Sequence, residues 1–323
     1  MADNKLIELL ADGEFHSGEE VGALLGVSRT AVWKQVKKLE SLGLALESKK
    51  GRGYRVVDGL SLLSADAIRS ALPAGVSESL PVLDIFQVVD STNTVAAANA
   101  PGVPGYRYLC LAEQQTAGRG RRGRVWQSPF GRNVYLSLVW QFSSGAAALE
   151  GLSLSIGVAV VRALRDAGAG EAQLKWPNDV LYHGKKIAGI LLEMQGDPAG
   201  ICQVIIGVGV NLDLRGASTA EIGQPWNDLY SVVGKVDRNR FVALLVTHLI
   251  NVLEEFSRSG FAQLREEWGA LDAYRGQEVA IHLGEQMLIG CAQGVDESGG
   301  LKVDIDGSQR VFRGGEISLR SMG

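Results

Sequence analysis

Apolar residues over the first sixty positions recur at helical spacing and then begin to alternate. Leu6, Ile7, Leu9 and Leu10 make one helical face, ended by Asp12-Gly13. Ser17-Gly18-Glu19-Glu20 reads as a capping box, in which the serine hydroxyl accepts an orphan N–H and Glu20 reaches back to the cap. The helix it opens turns Val21, Leu24 and Leu25 inward and breaks at Gly26. Ser28 caps a second helix with Val32, Val36, Leu39 and Leu42 on its apolar face. Helix, short break, helix is the helix-turn-helix signature. Leu44–Ser48 and Tyr54–Val57 then flank Lys49-Lys50-Gly51-Arg52-Gly53, a hairpin with a basic tip that completes a winged helix.

Residues 61–80 read as a linker and a short helix, capped at Ser64 and stopped by Pro73; Pro73, Gly75 and Pro81 mark a boundary. Strand and helix patterns then intermingle. Strands are expected at Val82–Val89, Tyr106–Glu113, Asn133–Phe142, Ile187–Met194 and Cys202–Leu212, with Leu181-Tyr182 pairing with Ile187–Leu192 as a two-stranded ribbon. Helices are expected at Thr92–Asn99, Ala148–Ala167 and Leu244–Phe256, and a hairpin turns at His183-Gly184. Neighbouring strands joined by hairpins favour an α+β fold with a mixed sheet over a doubly wound parallel one. Short strands at Glu278–Ile281, Met287–Gly294, Gly300–Ile305 and Gln309–Arg313, with glycine turns between them, predict a small SH3-like barrel. The chain divides accordingly into 1–60, 61–80, 81–272 and 273–323.

Charge sharpens the first region. Residues 1–27 hold one base against six acids, whereas residues 28–55 hold eight bases against Glu40 and Glu47. The second helix and the wing are therefore the face for phosphates, with Arg29, Thr30, Trp33, Lys34, Lys37, Lys50 and Arg52 as candidate DNA contacts. A helical protein-binding module is the alternative. The whole chain of 323 residues carries a net charge of −4, so nucleic-acid binding has to come from this local patch. Three scattered cysteines and four scattered histidines argue against a disulfide framework or a zinc site. The longest apolar stretch, near Leu152–Leu164, is too short to span a bilayer and contains Arg162. With no signal-peptide pattern, a cytoplasmic protein without membrane attachment is expected.

The strongest chemical signal is Gly118-Arg119-Gly120-Arg121-Arg122-Gly123-Arg124. No acid occurs from Gln114 to Leu149, and Arg132 adds a fifth arginine. Guanidinium forks match phosphate and carboxylate oxygens, and glycine lets main-chain N–H groups approach an anion. The stretch matches a dinucleotide fingerprint formally but fails its context. Pro129 and Gly131 follow where a helix should run, and no acid appears before Glu150 to hold a ribose.

Asp90-Ser91-Thr92-Asn93, the arginine loop with Trp126 and Ser128-Pro129, and Lys175-Trp176-Pro177-Asn178-Asp179 stand in the order seen in biotin–protein ligases. Lys185 to Glu193, Ile206 to Asn211 and Gly314 to Arg320 continue the match. With a winged helix in front, the chain resembles over its full length the bifunctional bacterial biotin ligase and biotin-operon repressor family. The resemblance implies an ATP-dependent ligase that makes biotinoyl-5′-AMP and transfers biotin to a lysine of a biotin carboxyl carrier protein. It also implies a homodimer, induced by biotinoyl-AMP, that binds operator DNA and represses biotin synthesis. Biotin and ATP are the implied substrates, with Mg2+ accompanying ATP and no dedicated protein metal site. A DNA-binding biotin sensor without turnover, and a ligase for a related acyl cofactor such as lipoate, are the alternatives.

By the same resemblance, Ser91, Thr92, Asn93, Gln115, Gly118, Arg119, Gly120, Arg121, Lys186 and Gly189 meet biotin or its adenylate. Asn178, Asn211, Trp226 and Arg320 meet the nucleotide, and Lys186, Arg121 and Asp179 carry the chemistry. Structural readings stand beside these. Ser91 or Thr92 can cap the next helix, Asn178-Asp179 can form an Asx turn, and Arg320 can sit in a surface ion pair. Gly207 and Gly209 either admit a ligand to the strand backbone or mark a bulge. Gln141–Ala147 and the arginine loop are candidate dimer segments.

Overall fold

The computed structural model describes residues 2–80, 82–100, 107–142, 145, 149–196, 202–215, 222–283, 286–313 and 317–321, with backbone alone for 2–4 and 317–321. Helices α1 (Ala2–Leu10), α2 (Gly18–Leu25) and α3 (Arg29–Ser41) pack beside a hairpin of β1 (Leu46–Lys49) and β2 (Gly53–Val56). Both caps form as the sequence indicates. The Ser17 hydroxyl accepts the Glu20 N–H at 3.1 Å while the Ser17 N–H donates to Glu20 Oε2 at 3.4 Å, and the Ser28 hydroxyl accepts from Ala31 at 3.3 Å. Leu6, Ile7, Leu10, Val21, Val32, Val36, Leu39 and Val56 are buried in one cluster.

Leu24 departs from expectation and is 62% exposed. The buried face of α2 is Gly18, Val21 and Gly22, with Leu25 half-buried one turn on. Two small residues on that face set the helix so that Leu24 lies off it.

The wing is tied to the segment before α2. His16 and Tyr54 exchange backbone hydrogen bonds at 2.9 Å in both directions. Gly53 has φ +107°, and a Cβ there would collide with the His16 carbonyl. Beside it, the Arg52 and Arg55 guanidiniums stack on the Phe15 ring at 4.3 and 4.7 Å.

After α4 (Ala65–Ala71) and α5 (Ala74–Ser79) comes the central region: β3 (Val82–Val89), α6 (Thr92–Ala98), β4 (Tyr108–Gln115) and β5 (Val134–Phe142). It continues through α7 (Leu152–Asp166), β6 (Ala172–Lys175), β7 (Asp179–Tyr182), β8 (Lys185–Gly196), β9 (Cys202–Val210), α8 (Leu229–Val233), α9 (Arg238–Ser259) and α10 (Arg265–Leu271). Seven strands form one mixed sheet in the order β3-β4-β5-β9-β8-β7-β6. Only β3 and β4 among these run parallel, through the α6 crossover. Alternation decides the two faces. Val204, Ile206, Val208 and Val210 of β9 join the core with α7 and α9, while Ile205 packs with Ala96 of α6 on the opposite face. Gly207 and Gly209 belong to that opposite face, where the arginine loop lies.

Helix α9 is longer than the expected Leu244–Phe256: Phe241 and Val242 carry its buried face a turn further back, and a polar stretch from Arg238 to Arg240 opens it. Asp237 caps it by accepting from Asn239 and Arg240 at 2.9 and 3.2 Å. Helices α5, α8 and α10 are too short for a periodic signal and were not expected.

Strands β10 (Glu278–Leu283), β11 (Gln286–Val295), β12 (Leu301–Ile305), β13 (Ser308–Phe312) and β14 (Ile317–Ser321) make the SH3-like C-terminal sheet. The Trp176 indole N–H donates to Gly299 O at 3.0 Å and fastens that sheet to the central region. No helix among the described residues is long and apolar enough to cross a membrane.

Two features bind the linker and the winged helix to the centre. Arg238 donates to Ser61 O at 2.6 Å, to Glu113 Oε2 at 2.7 Å and to Asn133 O at 2.9 Å, while Glu113 Oε1 accepts the Leu63 N–H at 2.6 Å. Both side chains are buried, at 3% and 5% exposure, so this pair has no water to fall back on. Phe130, just after the arginine loop, is part of the winged-helix core, and Gln114 Nε2 donates to Leu42 O at the end of α3 at 3.2 Å.

Removing one partner of a dry ion pair strands the other. Glu113→Ala is therefore expected to lose about 3–5 kcal/mol, read as a lower midpoint in urea unfolding. An unshifted midpoint contradicts the buried-pair account.

His16 links Asp12 (2.9 Å) and Glu20 (3.3 Å). Burial disfavours its charged form, but the bonds to Asp12 and Glu20 outweigh burial and hold its pKa above the ordinary value. A group raised on folding stabilises fully below its unfolded pKa of about 6.5, and that contribution fades as pH rises through the folded value. The gap in thermal midpoint between wild type and His16→Gln should be widest in mildly acidic buffer and close above neutrality; a gap that widens with pH contradicts this.

Candidate active site

Five segments converge on the open face of the sheet. The turn from β3 into α6 contributes Ser91, Thr92 and Asn93, and the end of β4 contributes Gln115. The arginine loop contributes Arg119, Gly120, Arg121 and Trp126, while Asn178, Lys186 and Gly189 come from the β6–β8 region. Gly207 and Gly209 of β9 form the floor. Here the missing side chains are filled by neighbours. A Cβ at Gly207 would overlap the Asn93 amide, and one at Gly209 would lie 2.5 Å from the Trp126 ring. With Trp126 folded onto this floor, the cavity is about 50 Å³, room for a few waters. A ligand seated on the β9 floor at Gly209 would have to displace the indole or lift the loop.

A run of hydrogen bonds lies beneath the pocket. Asn93 Nδ2 donates to Glu193 Oε2 at 3.0 Å, and the Ser137 hydroxyl donates to Asn93 Oδ1 at 2.6 Å and lies 2.8 Å from Thr92 Oγ1. Thr92 gives its N–H to Gln115 Oε1 at 2.9 Å, and its one hydroxyl proton is shared between that oxygen (3.1 Å) and Ser137 Oγ (2.8 Å). Gln115 Nε2 donates to Ser128 Oγ, which donates to Trp126 O, each at 3.0 Å. Ser91 occupies the cap position of α6, but its side chain caps nothing, and Thr92 turns to Gln115 instead. The capping reading is thus positional for Ser91 and wrong for Thr92. Gly118 does not line the cavity; its carbonyl accepts the Trp126 N–H at 2.9 Å and closes the base of the loop.

Cations and carboxylates are interleaved. Lys186 Nζ is 2.6 Å from Asp179 Oδ1, both side chains 15% exposed, and 5.3 Å from the Trp126 ring centroid. Arg121 donates to Asn178 Oδ1 at 3.2 Å, and Asn178 Nδ2 donates to Ile190 O at 2.8 Å, so Asn178 is held by strand backbone rather than in a free Asx turn. Burial pulls Arg121 below its usual pKa; Asp179 opposes this, and Arg122 and Arg124 reinforce it. Arg119 donates to Thr94 Oγ1 at 2.9 Å and to both Glu193 oxygens at 3.2 Å. Arg122, at φ +60°, and Arg124 are exposed at the loop tip.

Asn211 and Trp226 are not brought to the cavity wall. Asn211 is 6% exposed and donates to Asn227 O at 3.1 Å. Trp226 is half-buried alongside Lys186, whose N–H donates to Pro225 O at 3.0 Å and whose carbonyl accepts from Asn227 at 2.9 Å. The Arg320 side chain, Gly314–Glu316 and most of Gln141–Ala147 lie outside the described residues. On the winged helix, Arg29, Thr30, Trp33, Lys34, Lys37, Lys50 and Arg52 are all exposed on α3 and the wing.

Three participants escaped sequence reasoning. Trp126 is a motif residue to which the sequence assigns no role, yet it roofs the floor glycines, and its Nε1–H is buried without a partner. A buried orphan donor facing a pocket fits a ligand acceptor. Ser137 is a lone hydroxyl in an apolar strand, a signal available in principle. Glu193 ends the Lys185–Glu193 motif, and only the fold sets it beside Arg119.

This geometry, with three sequence comparisons, gives the class of protein. The family described as biotin/lipoate A/B protein ligase matches residues 85–211, an HTH domain matches 3–55, and the biotin protein ligase C terminal domain matches 275–320. The chain belongs to the biotin protein ligase family, in a form with an N-terminal DNA-binding domain. It is 39% identical over 327 residues to the bifunctional ligase/repressor BirA of Escherichia coli (strain K12), covering 99% of each chain. It is 32% identical over 324 residues to BirA of Bacillus subtilis (strain 168), covering 97% of each. Among solved structures, the Aquifex aeolicus biotin protein ligase in complex with biotin and ATP is similar with a TM-score of 0.63 at 29% identity, over 75% of this chain and 98% of that one.

Proposed function

We propose that this protein is an ATP-dependent biotin–protein ligase and, with the adenylate it makes, a repressor of biotin synthesis. The observation that carries the reading is the joining, in one chain, of a cation-rimmed pocket roofed by Trp126 with a basic winged helix. Relatives carrying the same combination are named bifunctional ligase/repressor.

The apolar bicycle of biotin would lie between Trp126 and the β9 glycines, with Ser91, Thr92 and Gln115 meeting its urea group. In the first step a biotin carboxylate oxygen attacks the α-phosphorus of ATP, and the bond from that phosphorus to pyrophosphate breaks. Charge builds on the phosphoryl oxygens, where Arg121 and Lys186, with Arg119 nearby, would supply preorganised cations. Lys186 would then exchange Asp179 for the substrate, leaving Asp179 to orient an incoming ammonium. In the second step the lysine amine of a biotin carboxyl carrier protein attacks the acyl carbon, AMP leaves, and the amine loses its proton. Gly118, Gly120 and Gly189 let the loop and β8 backbone approach the adenylate; Asn178, Asn211, Trp226 and Arg320 would serve the nucleotide.

Mg2+ bound with ATP would neutralise phosphate oxygens. The oxygen donors Asp179 and Asn178 beside the pocket cations are engaged by Lys186 and Arg121, which suits an ion arriving on the nucleotide rather than one held in a protein cage. Among the described residues no cluster of three or more His, Cys, Asp or Glu could hold a metal. A cytoplasmic setting goes with this reading. A homodimer favoured by biotinoyl-AMP would set two winged helices on a two-fold operator, because a ligand that orders a loop lowers the cost of whatever packs on that loop.

Incubation with labelled biotin, MgATP and a carrier domain should transfer label to the carrier, with biotin outcompeting lipoate. Biotin binding without transfer would leave a sensor and overturn the ligase reading. Separately, Lys34→Ala with Arg52→Ala should weaken binding to an operator duplex selected from random sequence by tenfold or more, while label transfer continues. Loss of both together contradicts a winged helix dedicated to DNA.

A further inference from the structure

Glu193 lies on the outer part of β8, beyond the residues that line the cavity, and its carboxylate is where the floor and the roof of the site meet. Its Oε2 accepts from Asn93, which is 3% exposed and covers Gly207. The same carboxylate takes Arg119 Nη2 on both oxygens at 3.2 Å, and Arg119 Nη1 is bonded to Thr94 of α6. The far end of the arginine loop is tied down differently, through Ser128 to the Trp126 carbonyl. Between these ties the tip from Arg122 to Val125 is exposed.

Arg119 therefore directs its guanidinium to Glu193 and Thr94, whereas Arg121 and Lys186 face Asn178 and Asp179 deeper in the pocket. The loop divides its arginines between holding itself down and facing an anion. We propose that Glu193 is the latch of the arginine loop: a positioning residue that, through Arg119, keeps the loop closed over the adenylate. The proposal rests on the ligase reading above. The side chains of Arg119 and Glu193 are 42% and 34% exposed, so the pair is a modest one. A modest tie suits a roof that has to open in every turnover. Its anchor is firm nonetheless, because Asn93 is held from the other side by Ser137. An anionic adenylate would draw Arg119 inward, and Glu193 offsets that pull.

The test uses the full-length protein loaded with labelled biotin and MgATP, freed of excess ligand and chased with unlabelled biotin. Release of labelled adenylate is followed over time, together with labelling of a bystander protein that lacks the carrier lysine. Glu193→Gln should release adenylate about three- to tenfold faster, the scale of a half-exposed, charge-assisted pair, and should label the bystander more. Arg119→Gln should do the same, and the double variant should be no faster than Arg119→Gln alone. Wild-type release from Glu193→Gln, or two effects that multiply in the double variant, overturns the latch. Should Glu193→Gln fold poorly, Thr94→Val removes the other Arg119 contact and should also speed release. Trypsin cleavage of the unliganded protein at Arg122 or Arg124 is a readout independent of catalysis. Glu193→Gln should be cut at least threefold faster, and equal rates overturn the latch. A wild type that forms no adenylate defeats the ligase reading, and the cleavage comparison then decides the latch alone.

Discussion

The ligand face of this protein depends on one chain of hydrogen bonds, buried at its centre, from Glu193 through Asn93, Ser137, Thr92 and Gln115 to Ser128 and the carbonyl of Trp126. Asn93, Ser137 and Thr92 are 3%, 0% and 4% exposed, so each polar group is satisfied by the next or by nothing. Such a network costs more half-made than absent, which makes it all-or-none. It spans the β3–α6 turn, β4, β5 and β8 and ends at both sides of the arginine loop. The glycines of β9 are its complement: with no side chains there, Asn93 and Trp126 can lie flat on the strand.

Ion pairs divide the remaining labour by burial. Glu113 and Arg238 are dry and knit the linker, β4 and α9 into one body. Asp179 and Lys186 are nearly dry and sit where an anionic substrate would compete for the lysine. Arg119 and Glu193 are half in water, where a pair is weak enough to open. Phe130 and Gln114 bracket the arginine loop in sequence and both reach into the winged helix. The loop and the DNA-facing domain thus share a foundation, although the residues that would touch adenylate and DNA lie far apart in sequence.

Local pattern made much of this legible. Ser17 and Ser28 announce α2 and α3 because a cap needs only residues three apart, and the basic wing stands out because its acids are missing. The acid-free arginine stretch marks an anion site from composition alone. Leu24 shows the limit: periodicity knows that α2 has an apolar side, but two glycines facing α3 decide its rotation. Helix α9 shows another, since its polar opening at Arg238 to Arg240 hides the start that the Asp237 cap sets.

The sequence by itself determined most of the long elements, the three-part architecture, the charge of each face and the order of the motifs, because those depend on neighbours along the chain. Only the tertiary structure decided that Asn93 supports β9 and Glu193 instead of standing free in the pocket, that Ser137 is the hinge of the network, and that Trp126 is the roof. It alone set Asn211 and Trp226 beside the start of β8 and off the cavity wall. The physical reason is the same in each case. A polar side chain's role is set by the partner that replaces its water, and here those partners lie from about ten to a hundred residues away.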